Sequence, residues 1–119
     1  MNKICTSLEQ SKKLIELGID IKTADFMWEY NPDKETYWDK PTIIPIDDYI
    51  FVNDIPAWSL SALLELMNVN EYKMALKYGD CSEYTMCFDD NYTFNSITKD
   101  DSVDAAFKMF VWLKENNKI

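Results

Sequence analysis

Paired carboxylates are the residues of this chain with the most evident capacity for chemistry. They occur as Asp47-Asp48, Asp89-Asp90 and Asp100-Asp101, and Asp104 follows the last pair by about one helical turn. Neighbouring carboxylates can bind a metal ion or divide the roles of acid and base. The segment that starts at Asp89 resembles the start of a calcium loop, but Phe94 stands where such a loop needs glycine. Because aspartates also favour turns and helix caps, we interpret these acids as solvated turn and cap residues.

The cysteines are the second group that could react. Cys5, Cys81 and Cys87 are an odd number without the spacing of a disulfide framework, which favours reduced thiols. Cys5 precedes a predicted helix, whose N-terminal dipole could lower the thiol pKa. The chain contains no histidine to act as a base, however, and Lys3 is the only cation nearby in the sequence. We therefore interpret Cys5 as a buried small apolar residue and assign no catalytic, cofactor-binding or metal-ligating residue.

Charge excludes one class of partner. The 119 residues include no histidine and no arginine, and 12 lysines against 21 acids leave a net charge of −9. A chain of this charge repels a nucleic-acid backbone, and without arginine it lacks the bidentate donor used to read phosphate and guanine. We expect no direct binding to nucleic acid. The acidity is concentrated in residues 23–58, where two lysines stand against eight acids.

The same acidic region contains the best candidate site. Between positions 28 and 39, large aromatic residues lie among acidic and other polar residues, a composition typical of interaction hot spots. We predict a partner-binding site formed by Trp28, Tyr30, Asp33, Glu35, Tyr37, Trp38 and Asp39. A tyrosine and tryptophan platform could also stack a ring or a sugar. The alternative is that Trp28 belongs to the core and that Tyr37-Trp38 covers a loop.

Hydrophobic periodicity predicts the elements that position these residues. The fold class expected is α+β, with one antiparallel sheet of about four to five short strands and three helices in a single domain, 1–119. The central and C-terminal helices are expected to pack on one face of the sheet. Helices are predicted over about 7–17, 59–67 and 102–116, and strands near 24–30, 49–52, 72–78, 84–88 and 92–94. Lys77 and Ala75 are also good helix formers, which leaves a helix over 71–78 as an alternative.

Capping residues define the ends of the predicted helices. Thr6 with Glu9 matches a capping box for the first helix, and Gly18 suits the position just after its end. The most apolar stretch, residues 55–67, has Ser59 as its N-cap and Trp58 and Leu63 spaced as a hydrophobic staple. Asp101 or Ser102 is expected to cap the last helix.

Three stretches of the chain carry a resemblance to a known family. They are residues 5–14 with Leu17-Gly18-Ile19 and Thr23-Ala24-Asp25, then residues 55–66, then residues 103–107 leading to Trp112-Leu113. On these residues the chain resembles a family of small uncharacterised proteins of gut bacteria and their mobile elements. The resemblance covers most of the chain at spaced points and is least in residues 30–54. It implies an α+β fold of the kind predicted above, and it assigns no activity and no functional residue.

These observations favour an interaction protein over an enzyme. No apolar stretch approaches the ~20 residues of a membrane span or has the flanks of a signal peptide, so a cytoplasmic location without membrane contact is expected. The leading hypothesis is a non-enzymatic acidic module, such as an inhibitor, immunity protein or antirepressor, that binds a basic protein. One alternative is a DNA mimic that inhibits a nucleic-acid-binding protein. The other is a small enzyme that uses lysine, aspartate or cysteine without histidine or arginine.

Overall fold

Helices and short antiparallel strands make up the parts of the chain that the computed structural model describes, namely residues 3–44, 54–67, 73–78, 84–89 and 94–117. The α-helices are α1 (Leu8–Glu16), α2 (Leu60–Leu66) and α3 (Ser102–Glu115), and a single 3₁₀ turn covers Ile21–Thr23. The strands are β1 (Phe26–Trp28), β2 (Tyr30–Asn31), β3 (Thr36–Tyr37), β4 (Thr42–Ile43), β5 (Ile55–Ala57), β6 (Lys73–Tyr78), β7 (Tyr84–Asp89) and β8 (Phe94–Lys99). The predicted α+β class with three helices is confirmed. Within these segments every helix is too short or too polar to cross a bilayer.

The strands of the described residues form three antiparallel sheets, whereas the sequence suggested one. Their orders are β4-β1-β5, β2-β3 and β6-β7-β8. The region with alternating aromatics, predicted as one strand, splits at Glu29 into β1 and β2, which pair with different partners. The predicted meander is confirmed as β6, β7 and β8, so the alternative helix over 71–78 is wrong. The strand predicted over 49–52 lies outside the described residues.

The start of α1 differs by one residue from the predicted capping box. Ser7 is the N-cap, and its hydroxyl accepts from the Gln10 backbone N–H at 3.2 Å while the Gln10 side chain accepts from the Ser7 N–H at 3.0 Å. Thr6 cannot cap because its buried hydroxyl is already bonded to Ser11 at 2.8 Å and accepts from the Trp58 N–H at 3.0 Å. Thr6 with Glu9 was therefore the wrong pair.

The end of α1 confirms the prediction for Gly18. Its φ is +84°, the left-handed region that favours glycine. The Gly18 N–H donates to the Ile15 carbonyl and the Ile19 N–H to the Leu14 carbonyl, which together form a Schellman motif.

The core forms where α2 and α3 pack together, and α3 also packs on β7 and β8. The Ser59 hydroxyl caps α2 by accepting from the Ala62 N–H at 3.2 Å, as predicted. The Asp101 carboxylate caps α3, at 2.9 Å from the Val103 N–H and 3.2 Å from the Asp104 N–H. The largest fully buried apolar side chains of this core are Trp58, Phe110, Leu14, Leu63, Met67, Met109, Leu113 and Val103. Trp58 and Leu63 both lie in this core cluster, and the predicted staple contact between them stays a prediction.

Candidate functional site

The β2–β3 hairpin carries most of the residues predicted to bind a partner. Tyr30 pairs with Tyr37 across the hairpin, and their rings meet edge to face, with centroids 5.5 Å apart and planes at 76°. Such an aromatic pair stabilises the two strands beyond its buried area. The local sequence thus gives a two-strand platform whose aromatic rings are already in contact.

The turn of this hairpin is built by its own polar residues. Asn31 is only 5% exposed, and its side-chain oxygen accepts from the Asp33 N–H at 3.1 Å while its carbonyl accepts from the Lys34 N–H at 3.3 Å. Glu35 closes the turn with a φ of +52°, in the left-handed region. These bonds explain why a turn forms here, and the acidic side chains of the turn are exposed.

We define the hairpin surface as Tyr30, Asp33, Glu35, Tyr37, Trp38 and Asp39. All three of its acids are exposed, and the Trp38 side chain is 52% exposed although it is the largest apolar group of the region. The Trp38 N–H donates to the Glu29 carbonyl at 3.0 Å, which fixes the backbone that carries the ring. The structure therefore brings together six of the seven predicted residues.

The hairpin is fixed to the rest of the molecule at its base. The Tyr30 N–H donates to the Asp54 carboxylate at 2.9 Å, and Asp54 is only 9% exposed. The Thr42 hydroxyl of β4 donates to the Glu29 carboxylate at 2.9 Å. Asp54 directly precedes β5 and Glu29 separates β1 from β2, so these two contacts connect the base of the hairpin to the β4-β1-β5 sheet.

Trp28, the seventh predicted residue, lies at the end of β1 and is not part of the hairpin surface. It ends β1, is half-buried, and its indole N–H donates to the Thr6 carbonyl at 3.0 Å. The structure thus gives Trp28 a packing contact with the N-terminal segment. The alternative that placed Trp28 in the core and Tyr37-Trp38 over a loop is not borne out, since Trp28 is half-buried outside the core cluster and Trp38 is exposed.

A pocket of about 240 Å³ lies beside Trp28, and sequence analysis did not identify it. Its walls are mainly apolar, and we call it the Ile4 pocket, lined by Lys3, Ile4, Cys5, Ser7, Trp28 and Pro41. Ile4 is 63% exposed at its rim. The pocket joins an N-terminal segment to residues more than 20 positions away, so no local pattern could reveal it.

Cys5 forms part of this pocket wall but is unsuited to nucleophilic chemistry. It is a free thiol, 3% exposed, which confirms the predicted burial. Burial, followed by the negative charge of Asp25, raises the pKa of the Cys5 thiol to about 11. The thiol therefore stays protonated near neutral pH, where only the thiolate would be an effective nucleophile. Cys81 lies outside the described residues.

The carboxylates near α3 have structural partners. Asp101 caps the helix and accepts from the Lys3 backbone N–H at 2.6 Å. Asp104 accepts from the Lys3 ammonium at 2.7 Å and from the Gln10 side-chain amide at 2.8 Å. Partial burial raises the pKa of Asp104, but those hydrogen bonds and the charges of Lys3 and Lys99 outweigh it, so this pKa lies below its usual value.

The other acidic pairs offer little further. Asp47 and Asp48 lie outside the described residues, and Asp89 ends β7. Across the described part of the chain, no three cysteine, aspartate or glutamate side chains come together in a way that could hold a metal ion. The cap function expected of this class of residue is confirmed for Asp101.

The comparisons with known proteins leave the family open. The resemblance to a family of gut bacteria and mobile elements stays a prediction. Comparison of the chain with protein-family models, with curated proteins and with solved structures gives no match.

Proposed function

We propose that this chain is a non-enzymatic interaction module that binds a basic segment of a protein partner through the hairpin surface. The observation that carries the proposal is Trp38, which is 52% exposed on a hairpin whose acids also face solvent. Burying a large aromatic side chain stabilises a protein by roughly 1.5–3 kcal/mol, a gain that this ring does not realise fully in the isolated chain. A partner that covers Trp38 would supply it.

The hairpin surface is also preorganised for binding. The Trp38 backbone is bonded to Glu29, and the Tyr30 and Tyr37 rings already contact each other. A fixed surface loses little conformational entropy when it meets a partner. Tryptophan and tyrosine at such fixed positions are the residue types that dominate binding energies at protein interfaces.

Charge defines the chemistry of the partner. Over residues 25–44, five acids stand against two lysines, and the whole chain has a net charge of −9. Asp33, Glu35 and Asp39 are exposed and lie within five positions of Trp38 in the chain. A surface of this kind attracts lysine and arginine side chains, and electrostatic attraction speeds the encounter between partners.

Selection of binding peptides tests the proposal without knowledge of the partner's sequence. Random short peptides displayed on phage are selected against the immobilised protein, and we expect enrichment of peptides that combine basic with apolar residues. The affinity of the enriched peptides is then measured with the triple variant Asp33→Asn, Glu35→Gln, Asp39→Asn and, separately, with Trp38→Ala. We expect each to weaken binding about tenfold, since exposed ion pairs contribute ~0.2–1 kcal/mol each and an aromatic anchor more.

A matched triple variant separates local from general charge. Glu16→Gln, Glu65→Gln and Glu115→Gln remove the same charge from exposed positions elsewhere, and we expect them to retain the affinity within about twofold. Raising the salt concentration should weaken peptide binding by the wild type, because ions screen exposed charges. It should also reduce the difference in affinity between the wild type and the triple variant of Asp33, Glu35 and Asp39. Equal losses in both triples, or full binding by Trp38→Ala, would contradict the proposal.

A further inference from the structure

The Ile4 pocket lies near the hairpin surface, and the proposed function gives it no part. We propose that it receives one apolar side chain, of the size of leucine or phenylalanine, from the basic segment that the hairpin surface binds. This inference rests on the proposed function, because it names the second contact made by the same partner.

The two surfaces are close enough for one short segment to reach both. Trp38 and Pro41 are three residues apart, so their Cα atoms are separated by at most about 11 Å. Glu29 connects the surfaces as well, since its carbonyl accepts from the Trp38 N–H and its carboxylate accepts from Thr42 of β4. Trp28 and Pro41 each lie one residue beyond the Met27–Thr42 pair, where the β1–β4 pairing ends, and both line the pocket.

Size and lining define the occupant. The volume of about 240 Å³ is smaller than the ~300–1,000 Å³ of typical small-molecule sites, and suits a single side chain. Ile4, Cys5, Trp28 and Pro41 offer mainly apolar surface. Among the described lining residues the one charge is Lys3, whose ammonium is paired with Asp104 at 2.7 Å. An uncharged apolar group therefore fits this pocket better than an anion does.

Hydrogen bonds fix the segments that line the pocket. The Thr6 N–H donates to the Trp58 carbonyl at 2.9 Å, and Cys5 forms a β-bridge with Ser59. The indole N–H of Trp28 donates to the Thr6 carbonyl, which fixes the ring that forms one wall. A preformed pocket accepts a side chain without the cost of reorganising its walls.

Charge complementarity specifies what flanks the apolar anchor. The segment that leads from the hairpin to the pocket contains Asp39 and Lys40, and the acids Glu29, Asp33 and Glu35 precede it closely in the chain. The region from 25 to 44 has five acids against two lysines. A leucine or phenylalanine flanked by lysines or arginines matches both the pocket and its surroundings.

Synthetic lysine-rich peptides of one length provide the probe. They are identical except for the central residue, which is alanine, leucine or phenylalanine, and their affinity is measured by titration in proton–nitrogen correlation spectra. We expect the leucine and phenylalanine peptides to bind roughly 10- to 100-fold more tightly than the alanine peptide. The indole N–H signal of Trp28 should shift during the titration, whereas that of the fully buried Trp58 should not.

Two exposed isoleucines offer a matched pair of variants. Ile4→Ala removes a pocket wall, and Ile21→Ala removes the same atoms from a residue that is 45% exposed and lies outside the pocket. Ile4→Ala should reduce the preference for leucine over alanine to less than about threefold, while Ile21→Ala should leave it unchanged. Because Ile4 is 63% exposed and Ile21 is 45% exposed, both variants are expected to fold, which a melting curve checks.

The outcomes separate this inference from the proposed function. Equal affinity for all three peptides, with binding still dependent on Asp33, Glu35 and Asp39, would overturn the pocket assignment and leave the function of the hairpin surface intact. Loss of dependence on those acids, with a leucine preference that Ile4→Ala removes, would instead overturn the proposed function and leave the pocket. An unchanged leucine preference in Ile4→Ala would also overturn the pocket assignment.

Discussion

Trp58 and Trp38 are the same residue type in two regions of the molecule, but the first is buried and the second is exposed. Trp58 precedes α2, is 0% exposed, and its indole N–H donates to the Thr23 hydroxyl at 2.9 Å. Trp38 follows the β2–β3 hairpin and is 52% exposed. The Trp58 ring therefore has its apolar surface buried and its N–H hydrogen-bonded within the chain, whereas about half of the Trp38 surface remains in water.

The difference shows where packing accounts for a residue and where it does not. Around Trp58 the backbone is bonded to Thr6 in both directions, and Leu63 and Val103 lie in the same core cluster. Across the described residues, every buried side-chain nitrogen or oxygen has a hydrogen-bond partner. Packing and hydrogen bonds thus account for the Trp58 region, whereas packing does not account for the exposed ring of Trp38 on the hairpin surface.

The largest expected effect tests this contrast directly. Trp58→Ala should lower the free energy of unfolding by about 3–5 kcal/mol, because it leaves a large cavity and removes the bond to Thr23. Trp38→Ala should change it by no more than ~0.5 kcal/mol. Urea unfolding followed by circular dichroism measures both values.

Peptide binding should rank these two positions in the reverse order. Trp58→Phe, which keeps a large ring in the core, is the folded counterpart for binding measurements and should retain the affinity of the wild type. A loss of more than about 2 kcal/mol of stability in Trp38→Ala would contradict the contrast, since it would mean that the exposed ring supports the fold.

Two aspartates extend the comparison to polar groups. Asp25 accepts from the Ser59 N–H at 2.9 Å and is also bonded to the Ser59 hydroxyl, so it holds the residue that caps α2. Asp25→Ala should cost about 1–3 kcal/mol, because it leaves donors at a partly buried helix start without their acceptor. Asp39→Ala, on the hairpin surface, should cost no more than ~0.5 kcal/mol.

The same unfolding measurements check this second pair. A second measurement is the rate at which Cys5 reacts with iodoacetamide. The negative charge of Asp25 contributes to the raised pKa of the Cys5 thiol, so this rate should rise in Asp25→Ala. If Asp25→Ala lowered the free energy of unfolding as little as Asp39→Ala, the bonds to Ser59 would be dispensable. The contrast between the packed region and the hairpin surface would then not extend to these aspartates.

Local features of this fold could be predicted from the sequence. Ser59 as the cap of α2, Gly18 at the end of α1 and the meander of β6, β7 and β8 all follow from contacts between residues close in the chain. The cap of α1 was misplaced by one residue for a non-local reason. Thr6 is bonded to Trp58, 52 positions away, which leaves the cap to Ser7.

Non-local pairing explains what the sequence could not show. The alternation of Phe26, Trp28 and Tyr30 predicted one strand, but β1 pairs with β4 and β5 while β2 pairs with β3. The same limit applies to the candidate site. The hairpin surface could be predicted because its residues are neighbours in the chain, whereas Ile4 and Pro41 meet Trp28 only after folding.

The smallest effect concerns the link between the core and the Ile4 pocket. Asp104 near the start of α3 holds Lys3 at 2.7 Å, directly beside Ile4. Its pKa in the folded state lies below its usual value, whereas an unfolded chain has an aspartate pKa of ~3.9. The ionised carboxylate therefore stabilises the native state above about pH 4, and this contribution is lost as the pH falls through the folded-state pKa.

Asp104→Asn removes that charge and keeps the shape of the side chain. At pH 7 the variant should be about 1 kcal/mol less stable than the wild type, the usual magnitude for a carboxylate paired with a lysine at a helix start. The difference should shrink as the pH falls from about 4 through the folded-state pKa of Asp104, because the wild-type carboxylate then becomes protonated and uncharged, like the amide that replaces it. Urea unfolding across this pH range measures it, with Asp100→Asn as the exposed neighbour that should cost less than ~0.5 kcal/mol at pH 7. A difference that persisted unchanged at low pH would mean that Asp104 acts through its shape and hydrogen bonds, and that its charge does not hold Lys3 beside the pocket.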